Sequence, residues 1–441
     1  MSKHTILKGT FILTATGFLT RLIGFFFRIF LSHSFGEEQM GLYQLIFPLY
    51  ALCFSFTSAG IETALCRCVA GKMTQGKKGE ADTLLYYALL LSVSLSLLST
   101  IFLRKWASAL SIYLLGDLRC EELIRIMAFS LPFASIHSCI CGYYLGMRQT
   151  KIPALSQFIE QLFRVGAVYF IYRLFLSNGL SATIWVAVLG LVAGELISSF
   201  FCLRYYCAQE PTSISFSLLR KNLHLGKELS TLALPLTSTR ILTNILQSVE
   251  TISIPLFLQK YGYTNANALS TYGVLTGMAL PCILFPTAIT NALSTMLLPT
   301  VAEIEAEQHI FRLRDLIKKV IFFGFGLGSV CGICFLLLAP LIGTLVFNSE
   351  LTGNFLRILA WLCPFLYMNT TLISILNGLK KATQSFLINI VSLTIRILGV
   401  WYGISNWGMN GYLWGLLLSQ LFVSLLCVLS LNAYISSREL N

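Results

Sequence analysis

Ten charged residues stand inside blocks of sequence that are otherwise apolar: Arg21, Arg28, Arg67, Arg164, Arg240 and Arg396, with Glu62, Glu160, Glu195 and Glu250. A charge at the centre of a membrane-embedded helix costs about 2.5 to 3.5 kcal/mol on insertion scales unless it meets water or a partner, so each is expected to be paired or functional. Arg21 and Arg28 are seven residues apart, nearly two helical turns, and project from one helix face. Two guanidinium groups on one wall can grip a diphosphate or another anionic headgroup through bidentate bonds. Pairing with Glu62 or Glu250 across helices is the competing use. Glu160 and Arg164 have the i,i+4 spacing of an intrahelical ion pair. Arg240 and Glu250, ten residues apart, differ by about 80° in direction on a helix. Arg67 lies near a helix end and can snorkel, and Glu195, among small neighbours, is expected to bond to an adjacent helix. Arg396 has Ser392 rather than an acid four residues earlier, so it is expected to be freer to face a ligand or a water-filled space.

No constellation for covalent chemistry accompanies these charges. Of five histidines His137 alone is mid-span, and no carboxylate is near it in sequence. A Gly-rich phosphate loop, an HExxH motif and paired aspartates are all missing, so the chain is not expected to be an enzyme. Thirteen cysteines, an odd number mostly inside apolar blocks, do not form a disulfide framework. Cys139 with Cys141, or Cys331 with Cys334, could in principle hold a metal, but neither pair is completed to a tetrahedral set by His and carboxylate neighbours, so neither metal nor cofactor is expected.

The elements that carry the charges follow from composition. Of 441 residues 56% are hydrophobic and 11% charged, which excludes soluble enzymes and disordered chains. The apolar residues fall into twelve blocks of membrane-crossing length: 5–32, 40–70, 82–103, 122–147, 154–176, 181–206, 229–258, 267–298, 316–347, 354–378, 383–404 and 409–435. Arg21 and Arg28 interrupt the first block and no cleavage site follows, so it is expected to stay as a span. With the N-terminus inside, eighteen lysines and arginines fall on cytoplasmic segments and seven outside, which puts both termini in the cytoplasm. That orientation bias accounts for most of the net charge of +12 without nucleic-acid binding.

An internal repeat orders the blocks. At a constant offset of 232, Arg125 matches Arg357, Pro132 matches Pro364, Gly146 matches Gly378, Arg148 matches Lys380 and Arg164 matches Arg396. The expected fold is an all-α polytopic membrane protein of about twelve helices in two six-helix lobes, 1–206 and 229–441, joined by a cytoplasmic linker 207–228. An even number of spans gives both lobes one orientation and a pseudo-two-fold axis along the membrane normal. A seam between such lobes suits alternating access, with Pro132, Pro235, Pro255, Pro281, Pro286, Pro299 and Pro364 expected to interrupt helices.

The segments ILKGTFILTATGFLTRLIGFFFRIFLSHSFGEEQMGLYQLIFP, SQFIEQLFRVGAV, VAGELISS and STYGVLTGMALPCILFPTAITNALSTMLLPTVAE closely resemble the stage V sporulation protein B family, within the multidrug, oligosaccharidyl-lipid and polysaccharide exporter superfamily. The resemblance runs to about residue 435. It implies a role in spore cortex peptidoglycan synthesis, flipping undecaprenyl-diphosphate-linked disaccharide peptide, in the membrane around the forespore and alongside cortex peptidoglycan polymerases. Related lipid II flippases carry arginines in an S-R-x-x-G-F motif, matched here by Thr20, Arg21, Gly24 and Phe25; their next arginine is offset by one from Arg28. Many relatives have fourteen helices, so a lipid-tail groove built from the extra pair is expected to be missing or differently made. The eleventh span has no carboxylate, which puts a relative's sodium site in doubt and leaves coupling by proton, sodium or membrane potential open.

The expected substrate contacts in a central cavity are therefore Arg21, Arg28, Arg240 and Arg396, with Glu62, Glu250, Glu160 and Arg164 as coupling or ion-pair groups. The expected partners are a lipid-linked anionic saccharide and membrane lipids. Two other readings stand beside this one: an exporter of drugs, organic cations or another lipid-linked oligosaccharide, and a membrane scaffold for cortex-synthesising enzymes acting through the loop 209–227.

Overall fold

In hydrocarbon every backbone amide must be satisfied within its own segment, so long apolar blocks have the α-helix as their only open-chain solution. The computed structural model describes residues 3–209 and 223–439, with side chains from residue 14 onward except at Pro299 and Glu439, and among them there are helices and turns but no strand. Helices occupy all twelve expected blocks. Two blocks run together in Lys3–Leu45 and continue through Phe47–Phe54 to Gly60–Thr74, yet Gly36, at φ 78° and ψ 178°, breaks the path and ends the first span. Gly408, at φ 60°, separates the eleventh and twelfth spans in the same way. The third span is Lys78–Ala109, the fifth Lys151–Ser177, the sixth Trp185–Gln209, the seventh Leu223–Tyr261 and the ninth Ile310–Leu341. The fourth, Cys120–Met127 with Ser130–Gly146, bends by 40°. Its repeat partner, the tenth, is likewise divided into Glu350–Leu359 and Cys363–Gly378.

Not every proline interrupts its helix. Pro235 and Pro255 both lie inside the continuous helix Leu223–Tyr261. Around Pro235 the hydroxyls of Thr231, Ser238 and Thr239 each bond to the carbonyl four residues back, at Lys227, Leu234 and Pro235, and none of the three reaches the Thr231 carbonyl that the missing proline N–H leaves free. Pro281 follows a π-helical turn, Val274–Ala279, in the eighth span, where the path does change.

The repeat seen in sequence is also written in the backbone. Left-handed residues recur at the offset of 232: Gly76 (φ 73°) with Gln308 (φ 56°), Gly116 (φ 75°) with Asn348 (φ 53°), and Arg148 (φ 60°) with Lys380 (φ 60°). The third and ninth spans begin and end at that same offset.

The chain forms two compact units. One comprises Met1–Phe27 and Leu42–Ser248, the other Arg28–Gly41 and Val249–Asn441, so the first and seventh helices are each shared out at Phe27/Arg28 and Ser248/Val249. Of the expected linker, residues 210–222 lie outside the described residues, and 223–228 already belong to the seventh helix. In the first unit Leu225, Leu229 and Ala233 of that helix join a core with Leu65, Leu84 and Tyr143. In the second, Gly324, Gly328 and Gly332 line one face of the ninth span against Met368, Pro364 and Ala360 of the tenth; a Cβ on Gly328 would lie 2.5 Å from the Cys363 carbonyl oxygen. This small-residue stripe is the packing device membrane helices use where hydrophobicity cannot drive association.

Candidate functional site

In the first unit four spans contribute to one buried polar cluster. Gly190 and Gly194 of the sixth span press against the backbone of Arg164 and Glu160 in the fifth, where added Cβ atoms would meet carbonyl oxygens at 2.9 and 2.8 Å. That contact brings Glu195 to Glu160. Glu160 and Arg164 form their i,i+4 pair within the fifth span. His137, from the fourth, presents Nδ1 to Glu195 Oε2 at 3.4 Å and to Glu160 Oε2 at 3.9 Å, and Tyr50 donates to Glu195 at 3.5 Å. The histidine that lacked a carboxylate in sequence thus meets two in space, brought from 23 and 58 residues further along the chain. Arg164 Nε is buried without an acceptor among the described residues. Ligand atoms close enough to hold a metal, all within 4.8 Å of one another, occur twice around His137: with Glu160 and Glu195, and with Cys141 and Cys202.

Nearby in the chain fold of the same unit, Glu62 accepts from Ser138 at 2.8 Å, and Arg240 Nη2 donates to Thr63 Oγ1 at 3.1 Å, next to Glu62 in sequence. Arg240 is exposed and no carboxylate pairs with it among the described residues. Arg21 is exposed as well, and no hydrogen bond or ion pair holds it among the described residues.

The second unit uses its charges differently. Arg28 donates to the Thr276 carbonyl at 3.1 Å, in the π-helical turn of the eighth span. Glu250 is 1% exposed; its Oε1 accepts from Arg396 Nε at 2.7 Å and from Tyr412 OH at 2.6 Å, tying the seventh, eleventh and twelfth spans together. The expectation that Arg396 is free therefore does not hold. Its acid comes from 146 residues away in sequence, a distance over which spacing carries no signal. Of the four arginines expected to contact substrate, two are engaged within the second unit and two, Arg21 and Arg240, are exposed in the first. Tyr50, Tyr412 and His137 are the site residues that sequence reasoning missed, and no local pattern marked them.

An apolar groove of about 830 Å³ in the second unit is lined by Gly399, Tyr402 and Gly403 of the eleventh span and Gly411, Trp414 and Gly415 of the twelfth. Gly403 and Gly411 pack backbone to backbone beneath it.

Helices at twelve apolar blocks and a duplicated backbone, taken with the family matches, make this a membrane transporter of the polysaccharide-exporter class. The chain belongs to the polysaccharide biosynthesis protein family, whose model matches residues 6–305; the MatE model matches residues 240–402. It is 26% identical over 403 residues to stage V sporulation protein B of Bacillus subtilis (strain 168), covering 90% of this chain and 77% of that one. Lipid II flippase MurJ of the same organism is 21% identical over 317 residues, 68% of this chain and 58% of that one. Among solved structures, a multidrug resistance MATE family transporter of the MOP superfamily superposes with a TM-score of 0.77 at 16% identity, covering 95% of each chain. That likeness shows the fold.

Proposed function

We propose that this chain moves a lipid-linked anionic saccharide, an undecaprenyl-diphosphate-linked peptidoglycan precursor, across the membrane by alternating access for spore cortex synthesis. The observation that carries the reading is Arg21. A permanently charged guanidinium that no carboxylate pairs with, part-way along an apolar helix, is stable only beside water or an anion, and a diphosphate offers it bidentate oxygens. Arg240 is the second contact. Arg28 and Arg396, held by Thr276 and Glu250, position helices in this reading rather than grip the headgroup. The similarity to stage V sporulation protein B and to lipid II flippase MurJ supports the substrate class. The groove lined by Tyr402 and Trp414 suits a prenyl tail that stays in the bilayer. Glu62, bonded to the Ser138 hydroxyl, is the carboxylate best placed to couple transport to a proton, because Glu250 is committed to Arg396 and Tyr412. Both termini lie in the cytoplasm, the protein resides in the membrane around the forespore, and cortex peptidoglycan polymerases consume what it delivers.

The test is fluorescence-quench flipping of a labelled lipid-linked precursor in proteoliposomes, with an ordinary phospholipid as control. Wild type is expected to flip the precursor selectively, Arg21→Ala to lose that activity, and Arg21→Lys to keep part of it, since lysine keeps the charge and loses the fork. Full flipping and normal precursor affinity in a folded Arg21→Ala protein would overturn the assignment.

A further inference from the structure

We propose that the first unit binds a thiophilic divalent metal ion of the zinc class through His137, Cys141 and Cys202. His137 and Cys141 stand at i and i+4 on the helix Ser130–Gly146, on one face, and Cys202 comes from the sixth span, Trp185–Gln209. All three are buried, and their ligand atoms lie within 4.8 Å of one another. Zinc holds sulfur at about 2.3 Å and imidazole nitrogen at about 2.0 to 2.1 Å, which sets ligand atoms roughly 3.5 to 3.8 Å apart. Ligand atoms within 4.8 Å of one another must close by roughly 1 Å at most to reach that spacing.

The imidazole is already oriented for this use. Its Nδ1 faces Glu195 Oε2 at 3.4 Å and Ser198 Oγ at 3.3 Å, so a proton on Nδ1 is shared with a buried carboxylate. Its Nε2 then carries the lone pair and points to the other side, where Ser156 Oγ lies 3.0 Å away. The same hydroxyl is 3.3 Å from Cys141 Sγ and donates its proton to the Pro153 carbonyl at 3.0 Å, which leaves its oxygen lone pairs beside two of the ligands. A carboxylate that fixes the far nitrogen of a ligating histidine is the usual outer-shell arrangement of zinc sites. The alternative set around His137, with Glu160 and Glu195, is poorer: Arg164 holds Glu160, Tyr50 bonds to Glu195, and a cation there would face the guanidinium.

Charge selects the ion. Binding a divalent cation releases one proton from each thiol, and two thiolates, one neutral imidazole and M²⁺ sum to zero, which a low-dielectric interior tolerates. A monovalent ion would leave one negative charge. The metal would fasten the fourth span to the sixth and lock His137 between its carboxylates and its thiols.

Cadmium is the probe, added to the purified full-length protein and followed by its ultraviolet thiolate-to-metal charge-transfer band. Wild type is expected to titrate to one ion per chain. Cys141→Ser and Cys202→Ser lose the band, whereas Cys139→Ser, buried on the same helix but outside the set, keeps it. Glu195→Gln is expected to weaken binding about ten- to hundredfold while leaving the band's intensity at saturation unchanged. Should the serine variants fail to fold, wild type alone decides: cadmium must move the onset of alkylation of Cys141 and Cys202 to higher denaturant while leaving that of Cys427, buried in the second unit, in place. No band at one equivalent in folded wild type, persistence of the band without both thiols, or unchanged alkylation onsets would overturn the proposal.

Discussion

Glu250 shows most clearly what a single buried charge demands. It is nearly inaccessible, and its oxygen is shared by Arg396 and Tyr412. Removing one partner of such a pair leaves the other buried and uncompensated, a penalty of about 3 to 5 kcal/mol, whereas replacing both with well-packed apolar residues is often neutral. Arg396→Ala and Glu250→Ala are therefore each expected to lower the unfolding midpoint strongly, and the double substitution Glu250→Leu with Arg396→Met to recover most of the loss, as read by thermal unfolding in detergent. Equal losses in single and double variants would contradict the pairing. At this scale legibility depended on whether a partner was local. Glu160 and Arg164 could be read from spacing because both sit on one helix. Arg396 and His137 were misjudged because their carboxylates arrive from other spans, and contacts between helices leave no period in the sequence.

At the scale of the element, the small-residue stripe and the left-handed turns are the parts most open to test. Gly328 touches the tenth span through backbone, so a larger side chain has no flexible neighbour to displace. Gly328→Leu is expected to cost about 1 to 3 kcal/mol or more by overpacking, and Gly326→Leu, with open space around its Cβ position, far less. A midpoint shift of equal size for both would argue against close helix packing there. The turns run the other way. Where the first half has Gly76 and Gly116, the second has Gln308 and Asn348 in the same left-handed region, at a strain of about 1 to 2 kcal/mol for a side chain with a Cβ, less for asparagine. Gln308→Gly is expected to raise the unfolding midpoint, and more than Asn348→Gly does. The helices themselves were legible because apolar length fixes them; the prolines were not, because Pro235 and Pro255 are carried inside one continuous helix and the residue type alone does not mark which proline breaks one.

For the whole molecule, the sign of the exposed charges separates the candidate classes of cargo. A cavity for organic cations would favour acidic and aromatic groups, whereas of the charges inside the apolar blocks those exposed in the first unit are Arg21, Arg67 and Arg240, so uptake of organic cations is expected to be absent under conditions where precursor flipping is measurable. Uptake of cations abolished by a Glu62→Gln variant would reverse that ordering. Fold class and repeat were legible from hydropathy and from one constant offset, but the division of the chain into units was not. Hydropathy marks where a helix crosses and says nothing of which neighbours its two ends pack against. That division has a consequence for how the protein is made. Leu225, Leu229 and Ala233 complete the apolar core of the first unit, and Arg240 reaches Thr63 within it. A ribosome that has delivered six spans has therefore not yet supplied everything that unit needs, while Arg28–Gly41, made near the start of synthesis, waits for the second unit to emerge. A fragment ending at residue 248 should resist protease and detergent better than one ending at 209, although it carries one more helix for the membrane to accept, and the halves of this duplicated chain should not be separable by a cut between them.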